Sequence, residues 1–185
     1  GRANVGKSTL LNAVLGRRNL LHTSKRAGRT QTLNFYRVGP EPAKAVVVDA
    51  PGYGQRGRPE WGALFDHYVS NREELKRIYL LINASHGLKE SDAMMLSHLN
   101  QQCESSLAHN RHITLQAIFT KCDLLRGDAQ KQLQRMQQEI FEAAPLCLPG
   151  IATATSSVQI GVDKVQQSIV EACGLGRVST VIRHT

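Results

Sequence analysis

The sequence has few aromatic residues, no long apolar run and no closely spaced cysteines. Phenylalanine, tryptophan and tyrosine make up 5% of its 185 residues, too few for a platform on which single-stranded nucleic acid would stack. No apolar run approaches the roughly 20 residues that a helix needs to span a bilayer. The four cysteines include no CxxC pair and the seven histidines show no ligand spacing, which argues against a disulfide framework or zinc site and favours a reducing compartment. What remains is a globular protein of one ordinary domain.

Positive charge is in surplus. Lysine and arginine number 23 against 15 aspartate and glutamate residues, which gives a net charge of +8 and a pI near 9.6. Such a surplus favours a polyanionic partner, most simply RNA, although a basic protein without that partner would have the same charge. The basic residues form small clusters at Arg17–Arg18, Lys25–Arg29 and Arg56–Arg58.

Helical and extended patterns alternate along the chain. They predict helices over 6–16, 58–76, 89–103, 128–144 and 161–174, and strands over 32–39, 43–52, 77–85, 113–123 and 148–157. The first two strands are joined by a Gly-Pro-Glu-Pro turn and are expected to be antiparallel. The others alternate with helices, which predicts an α/β fold with a mostly parallel sheet covered on both faces.

The first eight residues carry the most specific motif. Gly1–Ser8 reads GRANVGKS and matches G-x-x-x-x-G-K-[ST] at every fixed position. In such a phosphate loop, backbone N–H groups point at the phosphates, Lys7 reaches the β- and γ-phosphates and the Ser8 hydroxyl ligates Mg²⁺. A chance Gly-rich turn is the alternative, which the apolar helix that follows disfavours. Because a phosphate loop normally follows a strand, we expect a first strand that the sequence lacks, so that residues 1–185 form a single domain truncated at this loop.

Two further motifs stand at the ends of predicted strands. In DAPGYG, Asp49 is expected to reach the metal through water, and Gly52 to contact the γ-phosphate with its backbone N–H. In TKCD, Asp123 can accept hydrogen bonds from the guanine N1–H and N2–H₂, while the stem of Lys121 packs over the ring. Adenine presents no such pair of donors, so this motif favours GTP over ATP and disfavours an ATPase or kinase.

The fourth motif, ATSS at Ala154–Ser157, ends the last predicted strand, where a backbone N–H can meet guanine O6. TKCD or ATSS alone is a weak signal, but four motifs in this order, at strand ends where α/β sheets bind ligands, predict a GTPase. Ser24–Tyr36 lies where the first switch segment of a GTPase belongs. There Thr30 is the expected second protein ligand to Mg²⁺, with Thr32 as the alternative, and a solvated basic loop is the other interpretation of this segment.

With these residues in place, the sequence resembles the EngB/YihA family of small GTPases. The matching stretches are GRANVGKSTLLNAVLG, SKRAGRTQTLNFY, DAPGYG, FTKCD and TSSVQIGVDKVQQSI. The resemblance implies a Ras-like α/β domain that acts in assembly of the large ribosomal subunit. It also implies that Thr30 rather than Thr32 ligates magnesium, that Gly28–Thr32 contacts the nucleotide, and that the base-contacting loop is Ala154–Ser156. The GQRGRPEWG segment and the Gln- and His-rich middle look more like organellar members than bacterial ones.

Motifs and resemblance together define the predicted site. Its catalytic residues are Lys7, Thr30 and Gly52, and its metal ligands are Ser8, Thr30 and, through water, Asp49. Its nucleotide-binding residues are Gly1, Arg2, Ala3, Asn4, Val5, Gly6, Lys7, Ser8, Thr9, Gly28, Arg29, Thr30, Gln31, Thr32, Asp49, Ala50, Pro51, Gly52, Thr120, Lys121, Cys122, Asp123, Ala154, Thr155 and Ser156.

Tyr53 occupies the position at which well-known GTPases of this design have a water-orienting glutamine. A phenol is poorly suited to that task, so we expect slow hydrolysis of GTP until a partner completes the site, with Asn4 as a candidate ligand for K⁺.

The expected partner is the large ribosomal subunit precursor and its RNA. We expect a monomer without a membrane span, in the mitochondrial matrix or, as the alternative, in the bacterial cytoplasm. A nucleotide-gated scaffold with negligible hydrolysis is the second hypothesis.

Overall fold

The computed structural model describes residues 1–16, 33–39, 45–52, 59–155 and 159–175. Its helices are α1 (Lys7–Val14), α2 (Pro59–Asn71), α3 (Glu90–Ala108), α4 (Ala129–Ala143) and α5 (Val162–Ala172). Its strands are β1 (Asn34–Val38), β2 (Ala45–Asp49), β3 (Arg77–Asn83), β4 (Thr114–Thr120) and β5 (Cys147–Ala152). Within the described residues, no helix is both long and apolar enough to cross a membrane.

A parallel sheet forms the centre of the fold. Its strand order is β3-β4-β5, with β4 in the middle. Alternate residues of the apolar strands face opposite sides of the sheet, so each side carries its own core. Ile82 and Leu115 pack with α3 and α4 on one face, whereas Leu81 and Ile118 pack with α1 and α5 on the other. The predicted parallel sheet with helices on both faces is therefore confirmed for these three strands.

The first two strands form a separate sheet. β1 and β2 pair antiparallel, with Asn34 opposite Asp49 and Val38 opposite Ala45, as predicted. Between β2 and β3 lies a cavity of about 1000 Å³, and its lining includes residues of both strands and of α1. Because no described strand bridges this space, the described residues form two sheets rather than one continuous sheet.

Two helix ends differ from the sequence prediction by five residues. α2 ends at Asn71 rather than at residue 76, and a distant side chain explains the end. The Arg111 guanidinium donates hydrogen bonds to the carbonyl oxygens of Val69 at 3.0 Å and Arg72 at 2.5 Å, which are among the carbonyls left without helical partners at a C-terminus. α3 continues past residue 103 to Ala108, where its last turns still bury Ser106.

Candidate functional site

The phosphate loop, residues Gly1–Ser8, turns sharply into α1. Asn4 and Gly6 both have positive φ angles, of 59° and 103°, and the value at Gly6 lies where side chains are strained. Gly6 caps α1 without a side-chain hydrogen bond, and the first turn has no acidic residue. The first N–H groups of a helix have no helical partners, and the positive end of α1 is therefore suited to binding an anion. Leu10 and Val14 anchor the helix in the core.

Lys7 and Asp49 meet in this loop. β2 ends at Asp49 and presents its carboxylate, 2% exposed, to the ammonium group of Lys7. Ser8 is half-buried at the adjacent position of α1. The sequence motifs identified each of these residues separately, and the structure adds that the lysine and the aspartate form a direct ion pair.

The backbone of the DAPG segment runs against the phosphate loop. A Cβ atom at Gly52 would lie 3.1 Å from the carbonyl oxygen of Gly1 and 3.6 Å from the backbone nitrogen of Ala3. On the opposite side, a Cβ at Gly1 would lie 2.8 Å from the carbonyl oxygen of Leu81 in β3. The loop is thus held in a narrow space in which a side chain at Gly1 or Gly52 would force a displacement. Ala50 and Pro51, which precede Gly52 in the DAPG segment, are half-buried.

The TKCD motif ends β4 directly behind the phosphate loop. The Thr120 hydroxyl donates to the carbonyl oxygen of Val5 at 2.6 Å, and the Lys121 ammonium donates to the carbonyl oxygen of Asn4 at 3.0 Å. Lys121 has a left-handed backbone, with φ 58°, and its half-buried side chain extends back across the loop. Asp123, two residues further on, is exposed, so its carboxylate is accessible to a base.

The loop after β5 lies beside this motif. The backbone N–H of Thr153 donates to the carbonyl oxygen of Phe119 at 2.7 Å, and that of Cys122 donates to the carbonyl oxygen of Thr153 at 3.1 Å. Ala154 and Ile160 exchange two backbone hydrogen bonds, of 3.1 and 2.9 Å, which close the loop between β5 and α5. Burial raises the pKa of the Cys122 thiol above its ordinary value, so this thiol remains neutral next to Asp123.

Comparison with known proteins identifies the family. A family model described as "50S ribosome-binding GTPase" matches residues 1–121. The "Probable GTP-binding protein EngB" of Rhizobium johnstonii is 32% identical over 188 residues, which cover 96% of this chain and 82% of that protein. The protein of the same name from Brucella suis is 34% identical over 181 residues, which cover 91% of this chain and 71% of that protein. The chain belongs to the EngB family of GTPases.

Solved structures support the same fold for this EngB-family chain. Toc33 from Arabidopsis thaliana matches with a TM-score of 0.71 at 12% identity, over 96% of this chain and 83% of that one. Aquifex aeolicus Era bound to GDP·AlF4− matches with a TM-score of 0.63 at 22% identity, over 93% of this chain and 54% of that one. At these identities the likeness concerns the fold, and it confirms the Ras-like P-loop prediction.

The structure brings the described part of the predicted EngB site together at one edge of the sheet. This part comprises Gly1–Thr9, Asp49–Gly52, Thr120–Asp123 and Ala154–Thr155. Gly28–Thr32, Ser156 and Tyr53 lie outside the described residues, and so do the basic clusters at 17–18, 25–29 and 56–58. Sequence reasoning also missed a contact between the phosphate loop and a residue outside all the motifs. The Nε of Arg2 donates to Oδ1 of Asp92 at 3.0 Å, and no motif around Asp92 pointed to this contact.

Proposed function

We propose that this chain binds guanine nucleotides, hydrolyses GTP slowly to GDP and phosphate, and acts as a nucleotide-dependent switch in assembly of the large ribosomal subunit. The observation that carries the proposal is the hydrogen bond from Lys121 to the carbonyl oxygen of Asn4. Because of this hydrogen bond the TKCD motif lies directly beside the phosphate loop, so that one nucleotide could contact both. The family supplies the context, because its model is described as a ribosome-binding GTPase.

Guanine recognition would rest on the exposed Asp123 carboxylate, which can accept two hydrogen bonds from the Watson–Crick edge of the base. The Lys121 stem would cover the ring, and a backbone N–H of Ala154–Ser156 would meet O6. Adenine has an exocyclic amine where guanine has O6 and lacks the N2 amine, so ATP would leave the aspartate poorly paired. A site of this kind therefore discriminates strongly against ATP.

The oxygen donors suit magnesium, a hard cation that prefers hydroxyl, carboxylate and water ligands. The Ser8 hydroxyl and, through water, the Asp49 carboxylate would bind the ion at the beginning of α1, and Thr30 would supply the third protein oxygen. When bound, Mg²⁺ would neutralise charge on the phosphate oxygens. Lys7 pairs with Asp49 in the structure, and in the nucleotide complex its ammonium would bind the β- and γ-phosphates instead.

Hydrolysis would depend on groups that stabilise charge at the γ-phosphate. Lys7 and the backbone N–H of Gly52 would fulfil this role from the protein side, and Thr30 would close over the phosphate. Tyr53 would pack rather than orient water, so the intrinsic rate would be slow.

Asn4 is a candidate ligand for K⁺, which would supply a further positive charge. Equal hydrolysis rates in KCl and NaCl at matched ionic strength would remove the potassium part of the proposal.

The net charge of +8 favours ribosomal RNA as the binding surface on the subunit. The proposed compartment is the mitochondrial matrix, because the GQRGRPEWG segment and the Gln- and His-rich middle look more like organellar members of the family. The bacterial cytoplasm is the alternative. The relatives named above are bacterial proteins, and fractionation of the source cells would decide between the two. We propose a monomer as the active form.

Single-turnover hydrolysis with and without large ribosomal subunits tests the proposal. We expect GTP to displace a fluorescent GDP analogue where ATP does not, and we expect the subunits to accelerate hydrolysis. Lys7→Ala should abolish the accelerated reaction. Nucleotide binding without turnover in either condition would instead favour the second candidate, a nucleotide-gated scaffold. Equal competition by ATP would overturn guanine specificity itself.

A further inference from the structure

A buried carboxylate connects the phosphate loop to the beginning of α3. Asp92 is 0% exposed, and its Oδ1 accepts the 3.0 Å hydrogen bond from Nε of Arg2, whose side chain is 25% exposed. The second oxygen, Oδ2, accepts from the backbone N–H of Lys89 at 3.0 Å. Asp92 therefore serves both as the acceptor that caps α3 and as the anionic partner of the second residue of the phosphate loop.

This contact differs from those that Thr120 and Lys121 make with the loop. Thr120 and Lys121 bind the carbonyl oxygens of Val5 and Asn4, in the middle of the loop. Asp92 instead binds the side chain of Arg2, at the beginning of the loop. The loop is thus held from two sides, its middle from the end of β4 and its beginning from α3.

The backbone around Arg2 has little space in which to move. The carbonyl carbon of Arg2 is 3.6 Å from the position of a Cβ at Gly52, and the carbonyl oxygen of Arg2 accepts a 3.4 Å hydrogen bond from the Val5 N–H. A displacement of Arg2 would therefore change both the curvature of the loop and its contact with the DAPG segment. Since the guanidinium is bound by Asp92, Arg2 can contribute to phosphate binding through its backbone.

We propose that Asp92 is a positioning residue. Acting through Arg2, it holds the beginning of the phosphate loop in the conformation that receives the β-phosphate. The proposal rests on the proposed function, because it assumes that the loop binds a nucleotide. It goes further in assigning to α3, which carries none of the four nucleotide motifs, an influence on phosphate affinity through Arg2.

Asp92→Asn tests this assignment with little change in shape. Asparagine retains an oxygen that can accept from Lys89 and cap α3, but it removes the charge that binds Arg2. Arg2→Gln removes the pair from the partly exposed side, in case the buried substitution prevents folding. Asp163→Asn is the matched control, since Asp163 is an exposed acid in the first turn of α5.

Binding of GDP and GMP, each measured by competition with a fluorescent guanine nucleotide, separates positioning from general stability. GMP lacks the β-phosphate that the loop binds, whereas both ligands present the same base. We expect Asp92→Asn and Arg2→Gln to weaken GDP binding about tenfold more than GMP binding, as for loss of a hydrogen bond to a charged group. The double mutant should lose no more than either single mutant. Equal weakening of GDP and GMP, or additive losses, would overturn the assignment.

Amide hydrogen exchange supplies a readout that does not require a nucleotide. In the nucleotide-free protein, Asp92→Asn should speed exchange over residues 2–8 while α4 exchanges at the wild-type rate, and Asp163→Asn should change neither. Unchanged exchange over residues 2–8 would refute the positioning role even if nucleotide binds. If the wild-type protein binds neither GDP nor GMP, while Asp92→Asn still speeds exchange over residues 2–8, the proposed function is refuted. The Arg2–Asp92 pair would then hold the loop in place but would have no role in phosphate binding.

Discussion

The Thr120 hydroxyl donates a 2.6 Å hydrogen bond to the carbonyl oxygen of Val5, 115 residues earlier in the chain. The same hydroxyl lies 3.2 Å from the carbonyl oxygen of Ile82 in β3, and Thr120 is 4% exposed. Buried carbonyl groups without partners are costly. One side chain at the end of β4 therefore connects the base motif, the phosphate loop and the neighbouring strand.

Thr120→Val should destabilise the protein. Valine has nearly the same shape but cannot donate, so the Val5 carbonyl loses its partner, and the free energy of unfolding should fall by about 1–3 kcal/mol. Urea denaturation measures the change. Thr120→Ser retains the hydroxyl and is the control, which should lose less. A valine variant as stable as the wild type would show that water replaces the hydroxyl.

Asp123→Asn should change nucleotide specificity. The substitution removes a charge-assisted acceptor for two guanine donors, a loss of roughly 1.5–3 kcal/mol, so affinity for GTP should fall at least tenfold. Xanthosine triphosphate, which has a carbonyl in place of the N2 amine, should bind the variant better than it binds the wild type. Displacement of a fluorescent guanine nucleotide measures the affinity of each protein for GTP and for xanthosine triphosphate. Unchanged GTP affinity would contradict the assignment of Asp123.

Ser8→Ala and Thr30→Ala should separate the two magnesium ligands. Ser8 belongs to the phosphate loop, so its loss should impair Mg²⁺-dependent binding of both GDP and GTP. Thr30 would close over the γ-phosphate, so its loss should weaken only the triphosphate complex. Titrations with GDP and a non-hydrolysable GTP analogue, each with and without Mg²⁺, provide the comparison. Equal losses for both nucleotides in Thr30→Ala would transfer the role elsewhere, with Thr32→Ala the next variant to measure.

The sequence was informative wherever structure is determined locally. The phosphate loop and the TKCD motif could be placed because each stands where an apolar strand or helix meets a loop, and β3 and β4 were predicted from their extended patterns. Contacts between distant residues could not be read this way. Arg111 ends α2 from a position 39 residues beyond Arg72, and Asp92 binds Arg2 from 90 residues away. No periodicity encodes such pairs.

The thiol of Cys103 should make stability depend on pH in the alkaline range. Burial raises its pKa from 9.0 to about 11, so between these values the folded thiol keeps a proton that the unfolded chain releases. The contribution of Cys103 to the free energy of unfolding therefore falls by at most about 2.7 kcal/mol as the pH rises from 9 to 11, and it does not change below that range.

Cys103→Ala provides the comparison. It should lower stability at every pH because it leaves a small cavity, but the decline between pH 9 and 11 should be shallower than in the wild type. Urea denaturation at a series of pH values measures both slopes. Parallel declines in the two proteins would show that other groups account for the alkaline loss.

Nucleotide-dependent binding to the ribosome should require the arginines in or beside the two switch segments, the first at Ser24–Tyr36 and the second beginning at the DAPGYG motif. Arg26, Arg29, Arg56 and Arg58 lie in or next to these segments in the sequence, and switch closure could align their guanidinium groups with RNA phosphates. Co-sedimentation with large ribosomal subunits should therefore be strong with a non-hydrolysable GTP analogue and weak with GDP. Arg56→Ala/Arg58→Ala should weaken the binding seen with the GTP analogue without affecting nucleotide affinity.

The matched control is Lys131→Ala/Arg135→Ala, which removes the same charge from the exposed face of α4 and should leave the GTP-dependent binding intact. Salt dependence alone cannot distinguish specific contacts from diffuse attraction, since both weaken as salt rises. Equal co-sedimentation in both nucleotide states at physiological salt, or equal losses in the two double mutants, would mean that binding follows net charge and that the protein is not a switch on the ribosome.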